Sequence, residues 1–250
     1  MSLDGGRVRR AFSLAAPGYD AIATLQHQVE TALLERLEII QEAPLRVLDV
    51  GAGPGRASAL LRKRFAKAEV IALDLALPML HVAKSRTGWW KPFRRVCGDA
   101  RALPIADQSI DLLFSNLCLQ WCDDLVVVFD EFRRVLRPGG WLLFTTFGPD
   151  TLTELRQSWA AVDESPHVNV FIDMLDIGDR LLTAGFRDPM LDVDDYELRY
   201  SDPKLLMREL KDIGAGNADR QRARGLTGKH KLAAMLRTYE RFRADDGRYP

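Results

Sequence analysis

Short apolar runs alternate with amphipathic stretches between residues 45 and 147, and this alternation predicts strands separated by helices. The predicted strands are runs bounded by Gly, Pro or charged residues, at 45–50, 69–74, 94–97, 109–115 and 141–147. The predicted helices between them cover 56–66, 78–87 and 123–136. Strands that alternate with helices form a parallel sheet covered on both faces. The sequence therefore predicts an α/β protein with a doubly wound, mostly parallel sheet.

Helical patterns flank this α/β region on both sides. Before it, apolar residues such as Val29, Leu33 and Leu37 recur at helical spacing and predict a helical region over 7–43, which Pro44 ends. After it, the pattern predicts helices at 149–162, 172–186, 203–214 and 228–243, and one long alternating strand at 190–201. We therefore expect a single domain over 1–250, made of a helical N-terminal cap (1–43), a core (44–147) and a C-terminal cap region (148–250).

The composition is that of an ordinary globular protein, because 47% of the 250 residues are hydrophobic, 28% are charged and the formal net charge is zero. No run approaches the roughly 18 apolar residues of a membrane span, and the first residues lack the apolar stretch of a signal peptide. The three cysteines, Cys97, Cys118 and Cys122, form no Cys-x-x-Cys pair. We expect reduced thiols in a cytoplasmic protein, and no His, Cys and carboxylate spacing predicts a metal site.

The zero net charge conceals a basic segment. Residues 199–243 contain twelve Lys and Arg against five Asp and Glu, so the rest of the chain is acidic overall. One interpretation is a face that meets an acidic partner, and the other is a solvated helical surface.

A glycine-rich sequence, DVGAGPG at 49–55, lies directly between the first predicted strand and the helix that follows it. Glycines allow a sharp bend and close approach to a ligand, and we expect backbone N–H groups of the bend and the helix to face that ligand. The nicotinamide fingerprint Gly-x-Gly-x-x-Gly would need Gly or Ala at position 56, which is Arg56. The spacing therefore favours S-adenosylmethionine as the cofactor.

Polar residues follow the other predicted strands at the same edge of the sheet. Asp74 ends the second strand, where a carboxylate can accept hydrogen bonds from both ribose hydroxyls. Asp99 follows the third strand, where it can take the adenine amine, and Asn116 follows the fourth, beside the methionine end. Taken singly, Asp49 or Asp74 could cap a helix and Asp99 could form a turn. The predicted cofactor-binding residues are Asp49, Gly51, Ala52, Gly53, Gly55, Asp74, Leu75, Asp99, Ala100, Ser115, Asn116, Gln120 and Trp121.

The order of DVGAGPG, LD, GDA, SN-x3-QW and LRPGGWLLF over residues 45–147 resembles class I S-adenosylmethionine-dependent methyltransferases. More specific blocks lie outside that core, namely RRAFSLAAPGYD (9–20), FGPDTLTELR (147–156), SPHVNVFIDMLDIGD (165–179), AGFRDP (184–189), LMRELKDIGAGNA (206–218) and RGLTGK (224–229). They resemble the malonyl-acyl-carrier-protein O-methyltransferases of biotin synthesis. The resemblance implies a Rossmann-like fold and methylation of the free malonyl carboxyl on the carrier protein.

The resembled family also suggests which residues act on the substrate. Its N-terminal helix folds over the cofactor, which places Tyr19 near the reacting methyl group. The segment after the fifth strand caps the active site, so Arg156 is the first candidate to hold the malonyl carboxylate, and Arg199 is a weaker one. A surface position for Arg156 and a core position for Trp121 remain open. No histidine is assigned a role as a base, although His167 lies in one of the resembling blocks.

Acyl carrier proteins are acidic, so the basic segment is predicted to steer them. The predicted docking residues are Arg208, Lys211, Arg220, Arg222 and Lys229. Members of the family continue past a Gly-Arg-Tyr-Pro sequence with another strand that inserts antiparallel near the sheet edge. This chain ends at Pro250, and we expect its sheet edge to lack that neighbour.

Three other functions remain open from the sequence. The first is a small-molecule O- or C-methyltransferase acting on a quinone-type ring. The second is a relative of a mitochondrial assembly factor that hydroxylates arginine, which shares an FGxDTLxELR sequence. The third is a nucleic-acid methyltransferase, suggested only by the basic segment. Pro149 and the HVNVF block favour the malonyl-acyl-carrier-protein enzyme.

Overall fold

The computed structural model describes residues 3–88, 92–222, 225 and 227–250. Its strands are β1 (Arg46–Val50), β2 (Glu69–Asp74), β3 (Arg94–Cys97), β4 (Ile110–Ser115) and β5 (Leu136–Phe144). They form one parallel sheet in the order β3-β2-β1-β4-β5. The predicted α/β fold with a doubly wound sheet is therefore confirmed.

The helices lie between the strands and at both ends of the chain. They are α1 (Gly5–Ala15), α2 (Tyr19–Ile22), α3 (Thr24–Glu35), α4 (Arg56–Arg64), α5 (Leu77–Ala83), α6 (Leu125–Val135), α7 (Thr153–Ala160), α8 (Met174–Thr183), α9 (Pro203–Asp212) and α10 (Lys229–Tyr239). Short 3-10 turns cover Arg36–Ile39, Lys84–Arg86, Leu119–Trp121 and Glu240–Phe242. In the described part of the chain, no helix is both long and apolar enough to cross a membrane.

Alternating side chains on each strand supply two hydrophobic cores, one on each face of the sheet. On β1, Val47 packs into a cluster with Leu61 of α4 and Leu80 of α5. The next residue, Leu48, points the other way and packs in a cluster with Phe129 and Phe132 of α6. Because both faces are covered, the central strands are apolar on both sides.

The chain reverses its direction of strand addition between β1 and β4. From β1 the chain adds β2 and β3 on one side, then crosses over to add β4 and β5 on the other. The loops after β1 and β4 therefore part in opposite directions and leave a crevice at the carboxyl ends of the strands. Open parallel sheets bind ligands at this switch point.

The N-terminal helical region is not continuous as predicted. Pro17 and Gly18 separate α1 from α2, and Ala23, at φ −78° and ψ 48°, separates α2 from α3. A proline cannot donate the helical backbone hydrogen bond, and a glycine favours the break. The two breaks turn α1 away from α3, so α1 can lie over the carboxyl edge of the sheet.

The predicted strand at 190–201 is wrong. In the described residues its backbone pairs only through a bridge between Tyr200 and Tyr249, whose two hydrogen bonds are 2.8 and 2.9 Å. An alternating pattern forms a strand only beside a partner with free N–H and C=O groups. At the sheet edge, β5 pairs with β4 and with no other described strand.

The fifth strand also differs from its prediction, since it begins at Leu136 rather than at 141 and ends at Phe144. The sequence Arg137-Pro138-Gly139-Gly140 lies between the predicted helix at 123–136 and the predicted strand at 141–147. It instead forms an irregularity within the ladder, where the β4–β5 register shifts between Ile110 and Leu112. Gly139, at φ +78°, provides the left-handed turn that this bulge needs.

The predicted C-terminal helices are present in shorter form as α7, α8, α9 and α10. Asp173 caps the start of α8 with its carboxylate, and Gly185, at φ +84°, ends that helix as predicted. Helices α7, α9 and α10 share a third core around Trp159, Met235 and Tyr239. Arg224, which belongs to the basic segment and to the RGLTGK block, lies outside the described residues.

Candidate active site

A cavity of about 890 Å³ opens at the carboxyl ends of the strands. Four of the five strands contribute to its wall, through Gly51 and Gly53 after β1, Asp74 and Leu75 at β2, Gly98 to Ala100 after β3 and Asn116 to Cys118 after β4. Helix α1 forms the opposite wall with Val8, Arg9 and Phe12. The cavity is concave and combines apolar walls with a few polar groups, as small-molecule and cofactor sites do.

The glycine loop is held by hydrogen bonds to the neighbouring strand. Gly51 N and Ala52 N both donate to Leu73 O, at 2.8 and 3.0 Å, and Gly53 N donates to Asp74 Oδ2 at 2.8 Å. The expectation that these amides face the ligand is therefore wrong, because protein oxygens already accept from them. The loop offers space instead, since a Cβ atom built on Gly53 would meet no atom within 4 Å.

Asp74 is the central polar residue of the wall. Its Oδ1 accepts from Ala76 N at 2.7 Å while its Oδ2 accepts from Gly53 N, so the carboxylate is fixed in orientation. Each oxygen retains a second lone pair for a ligand hydroxyl. Burial raises the pKa of Asp74 to about 6, and the two backbone donors oppose that rise. At neutral pH the group remains an ionised acceptor.

Asp49 lies deeper than Asp74 and supports the loop from below. It is 1% exposed, and its Oδ2 accepts a hydrogen bond from the Ser58 hydroxyl of α4 at 2.5 Å. Burial raises the pKa of Asp49 to about 7. Asp49 faces a second, smaller recess that Ala52 also lines, and it is absent from the wall of the main cavity. Gly55 lines neither space and lies against Ala83, so it serves the packing of the loop on α5.

Asp99 and Ala100 both line the cavity after β3, as predicted. The Asp99 carboxylate accepts from the Arg101 guanidinium at 2.7 and 3.0 Å and from Arg101 N at 2.9 Å. These bonds lower the pKa of Asp99. Arg101 also donates to Asp123 at 2.8 Å, so this wall presents a paired network and no isolated charge.

The residues after β4 divide between wall and support. Asn116 lines the cavity, and its amide group joins Gln26 O of α3 to the Thr145 hydroxyl after β5. Ser115 is fully buried and donates to Val50 O at 2.9 Å, so it supports the β1–β4 junction from behind. Gln120 does not line the cavity, since its amide contacts Leu117 O and the Thr146 hydroxyl.

Aromatic side chains close the cavity from above. The Phe12 ring of α1 meets the Trp121 ring edge-on, with centroids 5.3 Å apart. Trp121 therefore lines the site and also packs against α1. Tyr19, the first residue of α2, borders both the cavity and the smaller recess. Burial and the surrounding carboxylates hold the pKa of Tyr19 well above its usual value, so its phenol stays protonated.

The smaller recess, of about 420 Å³, is polar and adjoins the main cavity. Two ion pairs flank it, Arg56 with Glu30 of α3 and Arg86 with Asp20 of α2. Gln26 Oε1 is buried there and accepts no hydrogen bond from the described residues. One residue that lines the recess therefore carries an acceptor that no described residue satisfies.

Comparison with known proteins agrees with this geometry. Residues 48–144 match a family model described as a methyltransferase domain. A malonyl-[acyl-carrier protein] O-methyltransferase from Xylella fastidiosa (strain M23) is 52% identical over 99% of this chain and 84% of its own length. Another protein of that name, from Gallionella capsiferriformans (strain ES-2), is 46% identical over 99% of this chain and 87% of its own length. The chain belongs to the malonyl-[acyl-carrier protein] O-methyltransferase family.

The fold agrees with that of solved methyltransferases. A crystal structure of a SAM-dependent methyltransferase from Thermotoga maritima superposes with a TM-score of 0.56 and 20% identity, covering 72% of this chain and 82% of that chain. The fold is therefore that of solved S-adenosylmethionine-dependent methyltransferases. Together with the family shown above, it confirms the predicted enzyme class, a methyltransferase.

The two arginines predicted to hold the malonyl carboxylate, Arg156 and Arg199, lie away from the cavity wall, and so does His167, which was assigned no role. The Arg156 guanidinium donates to Pro149 O at 2.6 Å, to Thr151 O at 2.9 Å and to the Thr153 hydroxyl, and so braces its own turn. Arg199 is paired with Glu197 and Asp246 on the surface. His167 stacks on Trp159, with ring centroids 3.8 Å apart, and contacts Asp163 at 2.8 Å. Among the described residues, no group of three His, Cys, Asp or Glu could hold a metal ion.

The predicted docking residues form two groups. Arg208 and Lys211 on α9 and Lys229 at the start of α10 are exposed and have no ion-pair partner within the described ranges. Arg220 and Arg222 also stabilise the fold, because Arg220 donates to Leu3 O at 3.0 Å and Arg222 donates to Asp219 O at 2.7 Å.

Sequence reasoning missed part of the cavity wall. Val8, Arg9 and Phe12 lie within the RRAFSLAAPGYD block or beside it, and their helical spacing of three to four residues was the available signal. Cys118 and Cys122 also line the cavity, on either side of the 3-10 turn that carries Trp121. No short-range pattern marks them as wall residues, because the turn alone decides where they point.

The buried Asp49 carboxyl predicts a pH dependence of stability. A folded-state pKa of about 7, against 3.8 in the unfolded chain, means that the folded state binds the proton more tightly. Stability from this group is therefore fully present below about pH 4 and is lost as the pH rises to about 7, by up to about 4 kcal/mol. Asp49→Asn should flatten that loss, measured by urea unfolding at pH 5 and pH 8. The matched control is Asp130→Asn, at an exposed position of α6. A variant as pH-sensitive as the wild type would contradict the assignment.

Proposed function

We propose that this chain transfers a methyl group from S-adenosylmethionine to the free carboxyl group of malonyl-acyl carrier protein, as an early step of biotin synthesis in the cytoplasm. The observation that carries the proposal is 52% identity, over 99% of the chain, to a relative named for that reaction. The cavity supports it, since its wall carries the polar groups that a nucleoside cofactor requires, among them Asp74, Asp99 and Asn116.

The cavity fits S-adenosylmethionine at three places. The free lone pairs of Asp74 suit the two ribose hydroxyls, and the open space beside Gly53 admits a ligand close to the backbone. The buried Gln26 Oε1 suits the amino group of the methionine end. The cofactor supplies a methyl group on a positively charged sulfonium, which an oxygen nucleophile can displace.

The malonyl acceptor needs no general base. A carboxyl group with an ordinary pKa of about 4 is ionised at neutral pH and can attack without losing a proton. The protein then contributes by positioning the carboxylate and by excluding water. The Phe12 and Trp121 rings suit the exclusion of water because they close the cavity. The protonated Tyr19 phenol suits the positioning of the carboxylate, because it can donate a hydrogen bond where the main cavity meets the smaller recess.

The malonyl carboxylate also needs a cationic partner. The family resemblance suggests Arg156 for this role. Its guanidinium would have to break its hydrogen bonds to Pro149 O and Thr151 O to reach the cavity. Arg9 is the better placed arginine, because it lines the cavity and has no ion-pair partner in the described parts of the chain. Arg101, the other arginine of the wall, is occupied by Asp99 and Asp123.

The roof over the cavity is fixed by blocks from distant parts of the chain. Asp4 N, just before α1, donates to Ala218 O at 2.9 Å. Ala218 N donates to Asn169 Oδ1 at 3.0 Å, and Asn217 donates to Pro166 O at 2.5 Å. The resembling blocks at 165–179 and 206–218 therefore share one role, which is to anchor the start of α1. This role explains why residues far from the cofactor loop accompany the function.

The exposed basic residues of α9 support docking of an acidic carrier protein. Helix α9 packs against α2, which carries Tyr19, so Arg208 and Lys211 lie on the element next to the cavity entrance. A positive surface there would orient the carrier protein and its malonyl arm. Binding of nucleic acid is not part of this proposal.

Mass spectrometry of malonyl-acyl carrier protein after incubation with the enzyme and S-adenosylmethionine tests the proposed reaction. The expected product is heavier by one methyl group, about 14 Da, and mild alkali should remove the gain because esters hydrolyse there. Phenolic and quinone-type acceptors serve as the control for a small-molecule methyltransferase. Methylation of those acceptors, with the carrier protein unmodified, would contradict the proposal.

Reversal of two charges on α9 tests the docking surface. Arg208→Glu with Lys211→Glu should raise KM for malonyl-acyl carrier protein by roughly tenfold or more at low salt, because steering attraction is replaced by repulsion. KM for a malonyl thioester of a small thiol should not change. The matched control reverses Lys63 and Lys67, exposed residues of α4 and its C-terminal turn. Equal effects on both substrates would exclude docking at α9.

A further inference from the structure

Two cysteine thiols lie together in the wall of the cavity and take no part in the proposed reaction. Cys118 and Cys122 both line the cavity and both are partly exposed to it. The two residues are four positions apart, flank one 3-10 turn and line the same cavity. The third cysteine, Cys97, lies on the exposed surface at the end of β3 and does not line the cavity.

The local backbone explains why the two thiols meet. The 3-10 turn Leu119–Trp121 separates them, with Trp121 N donating to Cys118 O and Cys122 N donating to Leu119 O, both at 3.0 Å. The preceding residue, Leu117, has a left-handed backbone at φ +45°, which few leucines adopt. A strained residue that leads into a tight turn is a common feature of functional loops.

The Cys118 side chain also touches the cofactor loop. A Cβ atom built on Gly51 would lie 2.6 Å from both Cβ and Sγ of Cys118. Only a glycine at position 51 therefore leaves room for this thiol. Asp74 is near enough for its charge to raise the pKa of Cys118 further. A movement of Cys118 Sγ therefore changes the contacts of Gly51, which is part of the wall that would hold the nucleoside.

We propose that Cys118 and Cys122 form a thiol–disulfide exchange site, which low-molecular-weight disulfides convert to an internal disulfide and which a ligand in the cavity protects. The protection rests on the proposed function, whereas the cross-link does not. A disulfide bond holds its two sulfurs about 2.0 Å apart, well inside the distance of any non-bonded contact, so oxidation draws the sulfurs of Cys118 and Cys122 together. That shift moves Cys118 Sγ relative to Gly51 and reshapes the cavity wall.

The exchange proceeds in two displacements. The Cys122 thiol gives up its proton, and its sulfur attacks one sulfur of the small disulfide, releasing a thiolate that takes up a proton. Cys118 stays protonated before this step, because its hydrogen bond to Cys122 and its burial hold its pKa well above the usual value. The Cys118 thiol then loses its proton, and its sulfur attacks Cys122 Sγ and expels the second small thiol. The cysteines lose two hydrogens, and the small disulfide is reduced to two thiols.

Incubation of the full chain with glutathione disulfide, followed by peptide mass spectrometry, tests the site. The expected product is a Cys118–Cys122 cross-link with a loss of about 2 Da, reversed by dithiothreitol. Cys97→Ser is the matched control and should form the same cross-link. Cys118→Ser and Cys122→Ser, tested separately in case one fails to fold, should stop at a glutathione adduct or stay unmodified. Absence of the cross-link in wild type and in Cys97→Ser, at any ratio of glutathione disulfide to glutathione, would overturn the proposal.

S-adenosylhomocysteine tests the protection. Its Kd is first measured by calorimetry on reduced protein. At a concentration of about ten times that Kd, only about one protein molecule in eleven has a free cavity, so cross-linking should slow by roughly tenfold. By linkage, the oxidised protein should bind the same nucleoside more weakly. An unchanged rate with the nucleoside demonstrably bound would overturn the protection. If the reduced protein binds no nucleoside, that result contradicts the proposed function instead. The mass of the cross-linked peptide would still show whether Cys118 and Cys122 form the disulfide.

Discussion

The hydrogen bond from Gly53 N to Asp74 Oδ2, 2.8 Å long, joins the loop after β1 to the end of β2. The same carboxylate caps the turn into α5 through Ala76 N, so one side chain sets the positions of two loops at the crevice. Holding a charge there is unfavourable, since burial raises the pKa of Asp74 to about 6. Ligand hydroxyl groups that donate to this carboxylate would offset that cost, which is how a fold can hold an acceptor ready for binding.

The second constraint is the roof. Pro17 and Gly18 break the N-terminal helix, and the break lets α1 lie across the cavity while α3 packs on the sheet. Ion pairs of Asp20 with Arg86 and of Glu30 with Arg56 connect α2 and α3, the helices that follow the break, to the core. The loop at 217–218 anchors the other end of α1. Chemistry that depends on positioning and on the exclusion of water needs such a roof more than it needs a base.

The sequence was most informative where local rules decide the structure. The strands at 69–74 and 94–97 match β2 and β3 residue by residue. For β2 the reason is local, because a buried apolar run bounded by charged residues has few other solutions. Asp74, Asp99 and Asn116 reach the cavity because parallel strands deliver their carboxyl ends to one edge. The family resemblance, read from blocks outside the core, was confirmed by relatives that cover nearly the whole chain.

Predictions failed where a residue's role depends on a distant partner. The pattern at 190–201 alternates like a strand, but pairing is a property of two segments, and only Tyr200 finds a partner. The role of Arg156 toward the malonyl carboxylate stays a prediction, but its side chain lies off the cavity wall, because carbonyl groups of its own turn accept its hydrogen bonds. The amides of the glycine loop were expected to face the ligand, whereas the adjacent strand β2 occupies them. Cavity residues of α1 depend on the angle at Pro17 and Gly18, which the sequence does not specify.

The central claim is that Asp74 holds the sugar of a sulfonium nucleoside in this cavity. Calorimetric titration with S-adenosylmethionine at pH 8, on wild type and on Asp74→Asn, tests it most directly, with thermal unfolding to verify that both are folded. The account predicts binding by the wild type and an affinity lower by at least roughly tenfold in Asp74→Asn, since hydrogen bonds to a charged acceptor contribute about 1.5–3 kcal/mol each. Equal affinities, or no binding by the folded wild type, would contradict it.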